Sequence, residues 1–194
     1  MLKTALLTNG DPRRHAAEAF IKDTYAVRYG ARLETFPSRI IALLDNRDEI
    51  LCAAGLRFFD DGFFSERYLD TPIEDAVSAI SASTVDRGAI FEVTTLASRA
   101  PLATAEFIAA IGAFGENAGF EWSFFTLTRR FYLMVSRLGI APTFLGEADR
   151  RRIADSERWG TYYASQPKVY AAANQRLTKS RDCAQREGRY AAAV

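Results

Sequence analysis

Glu92 interrupts a stretch that is otherwise apolar, Ile90 to Val93. The β-branched and aromatic residues around it predict a buried strand. A buried carboxylate is costly unless it is paired or used, because it loses its hydration. Burial also raises the pKa of a carboxyl group, which suits a general base that takes a proton from an amine. A structural ion pair, for example with Arg57, is the alternative interpretation.

Other side chains near the ends of predicted strands could take part in the same chemistry. Arg57 ends an apolar run and could hold a carboxylate of an acceptor by a bidentate contact, or could form a structural pair. Glu66 lies in a loop-like segment, where it could bind an acceptor amine or remain a solvated residue. Tyr162 and Tyr163 end a dense aromatic segment, in which a phenol could protonate a leaving thiolate or serve only packing.

Four threonines and one tryptophan are the remaining candidates for substrate contact. Thr94 and Thr95 continue the strand of the buried glutamate, and Thr126 and Thr128 alternate to one face of the following strand. Their hydroxyls could bind substrate, but threonine is also a frequent strand residue. Trp122 shares their face and could line a tunnel for an acyl chain or belong to the core.

A short segment joins the central strand to a helix that begins near Pro101. Proline suits the first turn of a helix, because the N–H that it lacks has no partner there. A polar strand end that meets a helix N-terminus is a favourable place for an anionic group. Leu96, Ala97, Ser98 and Arg99 are therefore the candidate cofactor-binding residues. Neither GxGxxG nor GxxxxGK[ST] occurs, so the sequence indicates no Rossmann nucleotide site and no P-loop.

Hydrophobic periodicity predicts the elements that must position these residues. Helices are predicted over Arg13–Tyr29, from Pro72 to about Ser83, after Pro101 and over Arg129–Leu138. Strands are predicted over Lys3–Thr8, Arg39–Leu44, Ile50–Phe58, Ala89–Ala97, Glu121–Thr128, Trp159–Tyr163 and Lys168–Ala173. This order predicts an α/β fold with a mixed, mostly antiparallel central sheet flanked by helices, and with Ala89–Ala97 near its centre.

Length and charge narrow the range of functions. The chain has 194 residues and a formal net charge of +1, which predicts one domain over residues 1–173 and no overall field that attracts nucleic acid. Residues 174–194 have an excess of basic side chains and are expected to form a flexible tail. No run approaches the roughly 18 apolar residues of a membrane span, and no signal peptide is evident. We therefore expect no membrane span and a cytoplasmic location.

Cysteine and histidine are too few for several kinds of site. Cys52 lies in an apolar run and Cys183 in the basic tail, so we expect no disulfide, with Cys52 buried and Cys183 exposed. His15 is the only histidine and lies in a charged helical stretch. The sequence therefore predicts no metal site and disfavours Ser-His-Asp catalysis.

Six segments follow one another in an order that is informative. They are Ala53–Phe58, Phe63–Glu74, Phe91–Ser98, Phe120–Phe131, Arg137–Asp149 and Trp159–Val169. Together they resemble the thermostable hemolysin family, whose layout is that of the GNAT acyltransferase superfamily. The same segments look distantly like acyl-homoserine-lactone synthases, which take acyl chains from carrier protein. The features shared with those synthases are Arg57 at the end of a hairpin strand and Glu92 in the central strand.

The resemblance implies an N-acyltransferase that moves an acyl group from a thioester to a small amine or amino acid, with Glu92 as the base. The implied co-substrate is the phosphopantetheine thioester of an acyl carrier protein, or a coenzyme A thioester, with no tightly bound cofactor. Two departures stand out. Thr94 and Thr95 replace the Gly-Asn that is usual in the family, and the loop after the strand has Arg99 but no glycine. A glycine-free loop is less able to cradle a pyrophosphate, which favours a carrier-protein donor.

Two other functions stay open at this point. The family name suggests a membrane-active hemolysin, although the lack of a spanning helix argues against direct pore formation, and lysis could come from an acylated, detergent-like product. A GNAT-like ligand-binding domain without catalysis is the second, and the departure at Thr94-Thr95 supports it. The expected partners are a small amine acceptor and an acyl carrier protein, but no nucleic acid.

Overall fold

The computed structural model describes residues 1–174, in which seven strands form one sheet that carries four helices. The strands are β1 (Lys3–Leu7), β2 (Arg39–Leu44), β3 (Ile50–Arg57), β4 (Ile90–Ser98), β5 (Trp122–Leu127), β6 (Thr143–Glu147) and β7 (Lys168–Ala173). The helices are α1 (Arg14–Tyr29), α2 (Ile73–Ser81), α3 (Pro101–Asn117) and α4 (Arg129–Arg137). The predicted α/β class is therefore confirmed.

The sheet is mostly antiparallel, with the order β1-β2-β3-β4-β5-β7-β6. Strand β4 is the fourth of the seven, so its predicted central position is confirmed. It pairs antiparallel with β3 and parallel with β5, the only parallel pair among the described strands. Because neighbours cover both edges and layers cover both faces, the first four residues of β4 are buried, which explains why all of them except Glu92 are apolar.

Alternation along β2 assigns one helix to each face of the sheet. Ile40 and Ala42 point to the face on which α1 packs with Ala17 and Ile21. The intervening Ile41 packs on the opposite face in a cluster with Phe107 and Ile111 of α3. A strand buried on both faces is therefore continuously apolar rather than alternating.

Strands β4 and β5 separate after a short pairing. They pair only over Ile90–Val93 and Trp122–Phe125, although β4 runs on to Ser98. The β3–β4 register shifts in the same region, because Ala53 pairs with Ala97 whereas Gly55 pairs with Thr94. The extra residue on β4 makes a β-bulge in which Thr95 takes the left-handed conformation, with φ of 47°. The bulge bends β4 away from β5 and opens the sheet.

Gly55 permits the close approach of β3 and β4 at this bulge. A Cβ at that position would lie 2.6 Å from the Thr94 hydroxyl oxygen and 2.8 Å from a carbon of Pro37. Any larger side chain would displace the side chain of Thr94 or of Pro37. The geometry of the bulge therefore depends on a glycine in the neighbouring strand.

The sequence was wrong in one element and missed another. Trp159–Tyr163 was predicted as a strand, but the chain forms 3₁₀ turns over Ser156–Trp159 and Tyr162–Ser165. The aromatic residues of this segment suggested a strand because aromatic side chains are frequent in strands. Their rings instead pack on α1, where Tyr25 contacts both Trp159 and Tyr162. Strand β6 was not predicted.

Cys52 is fully buried and free, as predicted, and burial raises the pKa of its thiol. Cys183 and nearly all of the predicted basic tail lie outside the described residues. No helix within residues 1–174 has the length and apolar character that a membrane crossing requires.

Candidate active site

The Glu92 side chain is completely buried and is held by backbone donors of a loop. The N–H of Phe64 donates to one carboxylate oxygen at 2.6 Å, and the N–H of Ser65 donates to the other at 2.8 Å. Burial raises the pKa of Glu92, while the Ser65 hydroxyl, the two N–H groups and the charge of Arg57 act in the opposite direction. The result is a desolvated carboxylate with a fixed orientation.

The loop that supplies these donors is anchored by aromatic packing. Gly62, with φ of 67°, turns the chain back toward the sheet. The Phe63 ring then packs edge-on against Phe124 of β5, with 5.1 Å between ring centres. Thr126 adds a tether, because its hydroxyl donates to the Ser65 hydroxyl oxygen at 2.8 Å. Ser65 therefore connects the end of β5 to the buried carboxylate.

Arg57 is the cross-strand partner of Glu92, yet its side chain does not form the ion pair that was the alternative interpretation of Glu92. Its Nη1 donates to the carbonyl oxygens of Asp61 and Gly62, each at 3.3 Å. Its Nε is buried without a hydrogen-bond partner in the described part of the chain. The guanidinium group thus has one buried donor whose hydrogen bond is not made within the described residues.

A cavity of about 600 Å³ fills the opening between β4 and β5. Thr94, Thr95 and Thr126 line it where the strands separate. Its walls are mostly apolar and come from both strands and from α3 and α4, including Val93, Phe125, Ile108, Ile111, Phe131 and Val135. Cavities of this size and character take small organic ligands with a large apolar part.

A second cavity, of about 230 Å³, lies against the same part of β4. Its lining is much more polar and includes four arginines: Arg32, Arg57, Arg67 and Arg158. The two cavities share Phe64, Thr94, Thr95 and Trp159. They therefore meet at the β4 bulge, beside the buried carboxylate.

The two predicted tyrosines lie in different surroundings. Tyr162 lines the large cavity, packs against Tyr25 and Tyr29, and has its pKa raised by burial. Tyr163 lines neither cavity; its hydroxyl shares a 2.7 Å hydrogen bond with the hydroxyl of Tyr68. Tyr68, which the sequence did not single out, does line the large cavity, and burial raises its pKa.

Some predicted substrate residues lie away from both cavities. Glu66 receives two hydrogen bonds from Arg87, at 2.6 and 2.7 Å, and caps the N–H of Ile73 at 2.9 Å. Trp122 lines neither cavity: it lies at the start of β5, opposite Ile90, and packs against a core cluster. Thr128 lines the large cavity, and its buried hydroxyl has no partner among the described residues, as is also true of Thr95.

The predicted cofactor segment is divided between two neighbourhoods. Leu96, Ala97 and Ser98 line the large cavity. The Ser98 hydroxyl shares a 2.7 Å hydrogen bond with Thr104 of α3. Arg99 instead turns to α1, where it donates to the Thr24 hydroxyl at 3.1 Å and pairs with Asp23 at 3.6 Å. Within residues 1–174, no cluster of three or more His, Cys, Asp or Glu side chains is arranged to hold a metal ion.

Solved structures with the same fold include several acyl-transferring proteins. The acyl-homoserine-lactone synthase LasI superposes with a TM-score of 0.60 at 9% identity, over 90% of this chain and 91% of LasI. FeeM, an N-acyl amino acid synthase from uncultured soil microbes, gives 0.55 at 14% identity, over 89% and 90%. BjaI, a coenzyme-A-dependent acyl-homoserine-lactone synthase solved with SAM and isopentyl-CoA, gives 0.56 at 12% identity, over 92% and 86%.

Identities this low establish the GNAT-like fold and not a shared activity. Comparison with curated proteins by sequence found no significant match. The family model described as thermostable hemolysin matches residues 7–177. Since that match spans most of the sequence, the chain belongs to the thermostable hemolysin family.

Proposed function

We propose that the protein is an N-acyltransferase that moves an acyl group from a thioester donor to a small amine or amino acid. One observation carries the proposal: an apolar cavity and a polar cavity meet at the β4 bulge, next to a buried carboxylate. Transfer between two substrates is favoured where the two reacting groups are held together with a base close by, and the meeting point of the two cavities offers such a place. The folds of LasI, FeeM and BjaI, which are all acyl-transferring proteins, support the same assignment.

The large cavity is suited to the acyl chain and the end of its thioester arm. Its walls are apolar, and β4 lacks a strand partner on the β5 side beyond Val93. Unpaired backbone groups on that edge can bind the amides of an extended pantetheine arm, as one more strand would. The donor is an acyl carrier protein or coenzyme A thioester.

Proton transfer to Glu92 runs through hydroxyl groups in this proposal. Glu92 is fully buried, so an amine in the cavity cannot reach it without an intermediary. Thr126 lines the cavity and donates to the Ser65 hydroxyl, and that hydroxyl is among the groups that lower the pKa of Glu92, which brings it close to the carboxylate. We therefore propose a relay of three proton transfers. The amine gives a proton to the Thr126 hydroxyl, Thr126 gives its hydroxyl proton to Ser65, and Ser65 gives its hydroxyl proton to the Glu92 carboxylate.

The bond changes need no covalent enzyme intermediate. The amine nitrogen attacks the thioester carbonyl carbon, the C–N bond forms and the C–S bond breaks. One amine proton passes to Glu92, and the leaving thiolate takes up this proton after Glu92 releases it, which restores the enzyme. A phenol that lines the cavity, Tyr162 or Tyr68, can donate a hydrogen bond to the leaving sulfur. Burial raises the pKa of both phenols, so both keep their proton and act as hydrogen-bond donors.

Mass spectrometry of small molecules from cells that express the protein tests the proposal. Wild-type protein should produce N-acylated amines that are absent from cells with the Glu92→Gln variant at the same expression level. Identical profiles in both cultures and in an empty-vector control would refute acyl transfer.

A further inference from the structure

We infer that the smaller cavity is a binding site for an amine that carries a carboxylate group, such as a free amino acid. Its role as the acceptor site rests on the proposed function, whereas its preference for a carboxylate rests on the cavity itself. The argument depends on charge, on an unpartnered buried donor and on size.

Charge is the first observation. The lining includes four guanidinium groups but only two carboxylates, Glu34 and Asp155, which leaves a net charge of +2. Arg158 pairs with Glu34, so one cation is already balanced. Arg32, Arg57 and Arg67 take part in no ion pair within residues 1–174. A cavity with an excess of cationic side chains favours an anionic ligand.

Arg57 supplies the second observation. Contacts of its Nη1 with the carbonyl oxygens of Asp61 and Gly62 fix the guanidinium group in place. Its Nε–H remains buried without an acceptor, although buried donors nearly always have one. A ligand carboxylate would supply the missing acceptor, and the planar fork of arginine suits two parallel bonds to a carboxylate.

Arg67 lies on the same cavity and is oriented by an aromatic ring. Its guanidinium carbon lies 5.2 Å from the ring centre of Phe64. Phe64 lines both cavities, and its N–H donates to Glu92. A carboxylate held by Arg57 and Arg67 would therefore leave the amine of the same molecule near Thr94 and Thr95, where the acyl cavity begins.

The size of the cavity suits a small ligand. A volume of about 230 Å³ is the space of about eight water molecules at roughly 30 Å³ each. That space accommodates a free amino acid but not an acyl chain together with its carrier arm. The two cavities thus differ in size as well as in polarity.

Binding measured by calorimetry on the full chain tests the inference without acyl transfer. The ligands are pairs that differ only by a carboxylate: leucine and 3-methylbutylamine, phenylalanine and phenethylamine, glycine and methylamine. At least one amino acid should bind about tenfold or more tightly than its amine, and Arg67→Gln should weaken it by a similar factor. Arg47→Gln is the matched control, because Arg47 is an exposed arginine in the hairpin at the opposite end of β3. It should leave binding unchanged.

The contrary outcomes are distinct. Equal binding within every pair, no binding by any amino acid, or unchanged binding by both Arg67→Gln and Arg57→Gln would overturn the inference. Tighter binding of phosphoethanolamine than of every amino acid would assign the cations to a phosphate and overturn the carboxylate. Carboxylate-dependent binding without acyl transfer would retain this site and refute the proposed function. Equal acyl transfer to both members of each pair would retain the function and refute this site.

Discussion

Arg57 and Glu92 are direct partners in the β3–β4 ladder, but no ion pair joins their side chains within the described chain. Glu92 is held by the N–H groups of Phe64 and Ser65, and Arg57 by two carbonyl oxygens. Glu92 therefore remains a carboxyl group with a raised pKa, and Arg57 keeps a buried Nε–H without a hydrogen-bond partner. In the proposed mechanism, Glu92 is the base and Arg57 is a cation that binds substrate.

Gly112 should control the length of the acyl group. It lines the large cavity, and a Cβ there would meet no atom within 4 Å. Gly112→Leu should shift the products toward shorter acyl chains because the new side chain occupies cavity space, while the melting temperature stays near that of the wild type. Chain-length analysis of products by mass spectrometry measures the shift, and an unchanged profile would contradict the placement of the chain.

Gly115 lies three residues after Gly112 in the same helix, α3, and is the packing control. A Cβ there would lie 2.5 Å from a Phe91 ring carbon and 3.0 Å from the Asn174 side-chain nitrogen. Because Phe91 is fully buried, Gly115→Ala should lower the unfolding free energy by about 1–3 kcal/mol through overpacking. Denaturant titration checks the value, with Gly112→Ala as the control because a Cβ at Gly112 meets no atom within 4 Å. If Gly115→Ala were as stable as Gly112→Ala, the core around Phe91 would have relaxed to accept the methyl group.

Glu66 should prove structural rather than catalytic. It receives two hydrogen bonds from Arg87, which lower the pKa of Glu66, and it caps the N–H of Ile73. Glu66→Ala should cost about 1–3 kcal/mol of stability while acyl transfer per folded molecule is retained. The contribution of Glu66 is present above the ordinary glutamate pKa and is lost as pH falls through its lowered pKa, so the gap between variant and wild type should close in acid. Loss of turnover at full stability would return Glu66 to the site.

Glu92 should give stability the opposite dependence on pH. Burial raises its pKa in the folded state, so the folded chain binds the proton more tightly than the unfolded chain does. The unfolding free energy of the wild type should therefore fall, relative to Glu92→Gln, as pH rises from the ordinary glutamate pKa through the raised one. Urea titrations of both proteins over a pH series measure this difference. Parallel curves would mean that the carboxylate is not desolvated.

The sequence was sufficient to predict many of the strands and helices that surround the candidate site. The apolar residues on either side of Glu92 predicted a central buried strand, and Gly30 ends α1 in the left-handed conformation expected of a helix C-terminus. The donors to Glu92 could not be predicted, because backbone N–H groups leave no mark in residue type. Glu66 looked free because its partner, Arg87, lies 21 residues along the chain. The small cavity depends on loops that meet only in the folded chain.

The most direct test of the account measures turnover and melting temperature on the same sample of Glu92→Gln. Glutamine can accept only one of the two N–H bonds, so we expect a stability cost of about 1–3 kcal/mol from the donor left unpaired. Turnover per folded molecule should fall by about 100-fold or more, the usual contribution of a positioned general base. Near-normal turnover in a folded variant would remove Glu92 from the mechanism and contradict the account.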